Sequence, residues 1–188
     1  MKKLKIISST TRPQRKGIAV ENWITEFAKN NSEFDVEFLN LEEIALPLMN
    51  EVNHPRLQKY EHEHTKQWSK KISEADAFII VLAEYNFGFP APIKNALDYL
   101  YKEWNYKPVG IVSYGGVSSG LRATQMLKQV LTTLNMMPLT EGVNIPFFAK
   151  KINEEGVFIP DEIIEKSAAI MMKELMKWTE AMRLMRQK

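Results

Sequence analysis

Ala77-Phe78-Ile79-Ile80-Val81-Leu82 is an unbroken apolar run, followed at once by the mixed loop Ala83-Glu84-Tyr85-Asn86-Phe87-Gly88-Phe89-Pro90. A run that is apolar at every position, and β-branched in part, has no polar face to turn to water. It therefore predicts a strand buried on both sides, as in the middle of a parallel sheet. Parallel neighbours need long crossover connections, usually helices, so strand–helix alternation is expected on either side.

Upstream, Leu4 to Ser8 is a short strand carrying Ile6 and Ile7. Gly17 to Asn30 follows with Val20, Trp23, Ile24, Phe27 and Ala28 at helical spacing, an apolar face for packing on a sheet. Phe34 to Leu41 reads as a second strand. After Leu46-Pro47-Leu48 comes a polar stretch from about Asn50 to Lys71, helical in its second half. Downstream, Pro92 to Tyr101 is a helix with proline tolerated in its first turn. Val109 to Val112 is a buried strand, Ser118 to Leu134 a helix, and Met137 to Ile145 a weaker strand. The last helix, about Asp161 to Arg186, carries a stripe of Ile164, Ala168, Met171, Leu175, Trp178, Met182 and Met185. Asp161 and Glu162 sit in its first turn, where the helix dipole favours negative charge. This alternation predicts an α/β domain spanning 1–188, an open parallel sheet covered on both faces. In such sheets ligands bind at the carboxyl ends of the strands.

Composition narrows the function. The chain has 188 residues, 45% hydrophobic and 26% charged, with a formal net charge of +2. Charges of both signs are interspersed, without the basic face that nucleic-acid binding requires. Cysteine is absent, which excludes disulfides, thiolate metal sites and cysteine nucleophiles. Met1-Lys2-Lys3 leads into an apolar run too short for a signal-peptide core, and no run approaches the ~20 residues of a membrane span. No membrane association and a cytoplasmic location are expected.

Three loops follow the best strands. Ser8-Ser9-Thr10-Thr11-Arg12-Pro13-Gln14-Arg15-Lys16-Gly17 brings hydroxyls and three cations to a helix N-terminus, where backbone N–H groups and the dipole favour an anion. It lacks the ending of a Walker loop, and reads equally as a phosphate cradle or a charged, capped surface loop. Glu84 to Pro90 sets aromatics beside amide and carboxylate groups, suited to a planar heterocycle or to plain aromatic packing. Ser113-Tyr114-Gly115-Gly116-Val117-Ser118-Ser119-Gly120 has adjacent glycines, which let backbone approach a flat ligand.

Taken in order, the loops resemble those of the NADPH-dependent FMN reductase family. Thr10 to Gly17 is similar to its G-S-T-R-P-G-R-x-G loop. Glu84-Tyr85-Asn86, Pro90 and Lys94-Asn95-Ala96-Leu97-Asp98 resemble its P-E-Y-N…P…L-K-N-A-L-D block. Ser113 to Ala123 resembles S-Y-G-G-x-S-x-G-L-R-A, and Leu46-Pro47-Leu48 sits where members carry a leucine–proline segment. The resemblance covers residues 4 to 135. It implies a flavodoxin-like three-layer sandwich with a five-stranded parallel sheet of order 2-1-3-4-5. It also implies FMN as cofactor and NADPH or NADH as co-substrate, with electrons passed to a small-molecule acceptor such as a quinone, an azo compound or free flavin. Thr10, Arg12, Arg15, Gly17 and Ile18 would hold the FMN phosphate and ribityl chain. Glu84, Tyr85, Asn86 and Phe87 would line the ring, largely through backbone groups, and Ser113, Gly115 and Gly116 its pyrimidine side. No catalytic acid, base or nucleophile is implied. A homodimer or homotetramer is implied, with Phe87, Phe89, Tyr101 and Trp104 as interface aromatics or as packing within one subunit. Two departures stand out: Ser9 replaces the family's glycine, and Ala83 the proline before Glu84.

Two rival readings remain on sequence: a flavodoxin-type electron carrier without NAD(P)H oxidation, and a flavin-free domain of the same architecture. Near-neutral charge and the loop arginines disfavour the carrier. His54, His62 and His64 lack H-E-x-x-H spacing, and are read as a solvated helix face and not a metal site. The methionine-bearing stripe is read as core packing, and Arg183 to Lys188 as a solvated helix end.

Overall fold

In the computed structural model, which describes residues 1–186, the apolar run becomes β3 (Ala77–Ala83), buried at every position. Each large aliphatic side chain fully buried there contributes about 1.5–3 kcal/mol. The strand lies between β1 (Lys2–Ser8) and β4 (Pro108–Tyr114), parallel to both. On the far side of β1 runs β2 (Phe34–Leu39), also parallel. The main path of the sheet is β2-β1-β3-β4-β5, the flavodoxin-like order.

The weak strand expected from Met137 to Ile145 forms as two pieces. β5 (Met137–Pro138) pairs with the start of β4, and β6 (Val143–Ile145) with its end. Met137 and Leu139 N–H donate to Lys107 O and Val109 O on either side of Pro138, and the chain then leaves β4 until Val143 rejoins it. The sheet thus has six strands, with two sharing the fifth place.

Among the described residues, α1 (Ile18–Asn30), α2 (Leu41–Ile44), α3 (Glu63–Ser73), α4 (Ala91–Asp98) and α5 (Leu121–Thr133) lie between strands, and α6 (Glu162–Arg186) follows the last. One core cluster joins a sheet face to α1 and α6 through Val20, Ile24, Ala28, Ile164, Met171 and Leu175. The other joins the opposite face to α3, α4 and α5 through Trp68, Ile72, Ile93, Leu97, Leu127 and Leu131. Two indoles end α4: Trp68 Nε1 donates to Ala96 O (2.9 Å) and Trp104 Nε1 to Leu97 O (3.1 Å). Helix C-termini leave such carbonyls short of backbone donors; Leu97 O also receives the Leu100 N–H.

Three expectations need correction. The buried face of α6 continues through Thr179 and Met182, while Trp178 and Met185 are exposed. A strict 3.5-residue stripe drifts off a 3.6-residue helix over several turns. Trp104 is fully buried against Phe78, and Tyr101 lies under the Arg56 guanidinium, so both pack within the subunit. His62 precedes α3 and is half-buried with His64, so the histidines do not form one solvated helix face. Their rings stack at 5.1 Å, and each bonds Asn50. The end of the basic tail, Gln187 and Lys188, lies outside the described residues.

Candidate functional site

The chain beyond β1 turns one hydroxyl after another to a different neighbour. Ser8 Oγ accepts from Leu41 N–H (2.8 Å), toward the β2 side. Ser9 Oγ accepts from Ala83 N–H (3.0 Å), at the end of β3. Thr10 is buried, and its Oγ1 has no hydrogen-bond partner. Its polar neighbour is the Tyr114 hydroxyl, which lies against Gly17 and lines the cleft described below.

The cations of this loop divide. Arg12 and Lys16 are exposed. Arg15 is turned inward, bonding Glu21 (3.0 Å), Asn40 Oδ1 (2.9 Å) and Glu42. Glu21, on α1, is fully buried. Burial raises its pKa, and Arg15 only partly counters this. Burial also works against the Arg15 charge, yet Glu21 and Glu42 outweigh it and hold its pKa above the ordinary value. Asn40 additionally caps α2 by accepting from Glu42 N–H. Arg15 therefore ties the loop to α1 and α2, where the sequence had suggested a direct anion contact. Gly17 is buried beneath Tyr114, and Ile18 opens α1 on the surface.

In the second loop, Asn86 (φ 50°) and Phe87 (φ 71°) are both left-handed. Tyr85 and Gly88 exchange two 2.9 Å backbone bonds across them. This is the geometry of a two-residue type I′ turn, which normally takes Asn-Gly. Phenylalanine in that place is strained. Its ring is 65% exposed, with the Arg122 guanidinium 3.8 Å from the centroid. Glu84 turns away from the turn to the start of α5. It accepts from Ser118 Oγ (2.9 Å), Arg122 N–H (3.1 Å) and Ala123 N–H (3.4 Å), and pairs with Arg122 Nε. Gly120 gives α5 no side-chain cap, so Glu84 supplies it and joins the second loop to the third.

In the third loop Ser113 is buried, and its hydroxyl donates to Asn144 Oδ1 on β6. Paired with strands on both sides and fully buried, Ser113 supports the loop from beneath. Gly115 and Gly116 are braced by the chain after β6, with Phe148 N–H donating to Gly115 O and Phe147 N–H to Gly116 O. A Cβ on Gly115 would come within 3.1 Å of Gly120 N.

These loops enclose a cleft of about 120 Å³ lined by Arg12, Lys16, Gly17, Glu84, Tyr85 and Gly115, with Arg15, Ala83, Tyr114 and Phe148. Tyr114 and Phe148 were not anticipated as lining residues. Their rings pack at 4.6 Å, and burial pushes the Tyr114 phenol well above its usual pKa. Several hollows are larger, two of which bear on the choice of site. One, of about 420 Å³ between α1 and Gly156–Phe158, has no Lys or Arg in its lining. The other, of about 450 Å³, adjoins the first loop at Thr11 and is walled by Leu46 and Leu48. That segment is pinned where Asn95 Nδ2 donates to Pro47 O (2.7 Å) and Tyr99 Oη to the same carbonyl (3.1 Å). The small cleft combines cations, a helix N-terminus and the Thr10 loop, with a strained aromatic turn opposite. Such a set fits FMN: cations and a hydroxyl for the phosphate, open backbone and aromatic groups for the ring.

A profile of the family described as NADPH-dependent FMN reductase matches residues 2–150. The chain belongs to this family. It is accordingly an oxidoreductase working with FMN and NAD(P)H, and the electron-carrier alternative is set aside. It is 42% identical over 148 residues to an NAD(P)H-dependent FMN reductase of Schizosaccharomyces pombe, covering 77% of this chain and 74% of the relative. Another NAD(P)H-dependent FMN reductase, from Saccharomyces cerevisiae, is 31% identical over 173 residues, 86% of this chain and 87% of the relative. Among solved structures, the flavoenzyme NAD(P)H:(acceptor) oxidoreductase FerB of Paracoccus denitrificans superposes with a TM-score of 0.76. It is 22% identical, with 96% of this chain and 98% of that one covered, and shows the same fold.

Proposed function

We propose that the chain reduces FMN held in the three-loop cleft with NAD(P)H and passes the electrons to a small acceptor such as a quinone, azo compound or free flavin. The observation that carries the site is the convergence of all three loops on one cleft, lined by exposed Arg12 and Lys16, Gly17, Tyr85 and Gly115. FMN supplies the redox chemistry when bound, taking a hydride from the nicotinamide and giving two electrons to the acceptor, so that the protein supplies orientation and electrostatics.

Thr10 and Arg12 hold the phosphate at the start of α1, with Gly17 and Ile18 beneath the ribityl chain. Arg15 holds the loop in shape from behind. Tyr85, Asn86 and Phe87 line the ring, and Glu84 fixes their position through α5. Gly115 and Gly116 meet its pyrimidine side through the backbone, and Ser113 supports them from the end of β4. Exposed Lys16 favours NADPH by offering a cation to the 2′-phosphate. An open, largely aromatic face has little to reject one planar acceptor in favour of another.

We further propose a homodimer, since Phe87, Val117, Leu121 and Met126 are all exposed around the cleft. Light scattering at micromolar concentration tests it, and a monomer mass there would contradict it. Among the described residues no helix is long and apolar enough to cross a membrane, in keeping with a proposed cytoplasmic location. Steady-state NADPH oxidation with FMN and a quinone tests the function. Turnover that needs both is expected, and none with either nicotinamide would contradict it.

A further inference from the structure

The two departures from the family pattern meet in space: the Ser9 hydroxyl is the acceptor for the Ala83 amide, at 3.0 Å, and both residues are buried. The register of β1 with β3 ends at Ser8 opposite Val81. Ala83 N–H therefore lies beyond the last paired position of β1, and a side chain takes over where the backbone ladder stops. A glycine at 9 would leave this buried N–H without its acceptor, at a cost. A proline at 83 would have no N–H to offer, and the Ser9 hydroxyl would be stranded instead. Glycine with proline, or serine with alanine, each leaves nothing unpaired.

We infer that Ser9 and Ala83 act as one positioning unit, which sets the spacing between the phosphate loop that begins at Thr10 and the ring loop that begins at Glu84. The unit rests on the proposed FMN site, whose two halves it joins. The neighbouring bond from Leu41 N–H to Ser8 Oγ fixes the other side of the same chain end, so Thr10 leaves the sheet from a point held on both sides. Ser9 touches no ligand and acts only through this spacing.

The test compares FMN affinity, read from flavin fluorescence, and the visible spectrum of the bound flavin across Ser9→Gly, Ser9→Ala, Ser9→Thr, Ala83→Pro and the double variant Ser9→Gly/Ala83→Pro. Ser9→Gly and Ser9→Ala should each weaken binding about tenfold, on the order of one hydrogen bond. The spectrum should shift because the ring's surroundings move. Ser9→Thr, which keeps the hydroxyl, should bind like the wild type. The double variant should recover most of the loss, the non-additivity expected of groups in contact. If Ala83→Pro does not fold alone, recovery of folding in the double variant makes the same point. Wild-type protein that binds no FMN would overturn the functional reading and this inference with it. Wild-type binding that Ser9→Gly and Ser9→Ala leave unchanged would overturn this inference alone, as would a double variant whose loss is the sum of its singles.

Discussion

A Cβ placed on Gly17 would lie 2.1 Å from the Tyr114 hydroxyl oxygen and 2.7 Å from Cζ of the same ring. The residue that leads into α1 and the last residue of β4 are thus in direct contact in the wall of the cleft. Glycine is required at 17 by space, since its own backbone is right-handed at φ −59°. Gly17→Ala should destabilise the fold by about 1–3 kcal/mol, as overpacking does, and weaken FMN binding. Tyr114→Phe in the same chain should recover part of both. Denaturant unfolding and flavin titration measure the two effects; an alanine variant equal to the wild type in both would remove this contact from the account.

The arginines of the phosphate loop should fail in different ways. Arg12 is exposed, and Arg12→Ala should cost roughly 1.5–3 kcal/mol of FMN affinity, the worth of a charge-assisted hydrogen bond, with little change in stability. Arg15→Ala strands the buried Glu21 carboxylate and should cost about 3–5 kcal/mol of stability. Parallel unfolding and binding measurements separate them. An Arg15→Ala protein as stable as the wild type, but weak in FMN binding, would return Arg15 to the role first expected of it.

Phe87→Gly should make the protein more stable by about 1 kcal/mol. It relieves a left-handed phenylalanine, a strain of about 1–3 kcal/mol, and gives up an exposed cation–π contact with Arg122 of about 0.5–1 kcal/mol. Turnover should fall because the exposed ring beside the cleft is gone. A gain in stability with unchanged turnover would mean that the strained ring serves something other than the redox site.

Lys107 gives the fold a pH dependence of known sign. Its ammonium is buried and donates to Ile72 O (2.7 Å) and Ser73 O (3.1 Å) at the end of α3. Burial and the nearby Arg186 lower its pKa from 10.5 to about 7, against the pull of Asp76 and Glu103. Between these two values the unfolded chain holds a proton that the folded one has released, so stability from this group rises with pH across the window. It is least below pH 7, where both states are protonated. A neutral amine still has two hydrogens for the two carbonyls. Lys107→Met should flatten unfolding stability between about pH 7 and 10, and an unchanged slope would assign the dependence elsewhere.

The open parallel sheet was legible because the buried runs at β1, β3 and β4 are spaced by amphipathic helices, whereas its strand order came from the resemblance of the loops to the family. The broken fifth strand was less so, since two residues of β5 and three of β6 carry almost no periodic signal. The three loops were correctly brought together, but the direction of individual side chains was not readable. Arg15 and Arg12 look alike as letters, and only folding sets Glu21 and Glu42 against one of them. Ser113 gave no sign that Asn144 would take its hydroxyl. Phe148 enters the cleft from a segment that no strand-end rule indicates. The left-handed turn at Asn86 and Phe87 escaped because its usual glycine is missing.

The central claim is tested most directly by the absorption spectrum of purified protein with FMN, recorded before and after NADPH is added without oxygen. The account predicts bound flavin whose visible absorption bleaches on NADPH and returns when a quinone is added. Bound flavin that stays oxidised with both NADPH and NADH, or protein that binds no flavin at all, would contradict it.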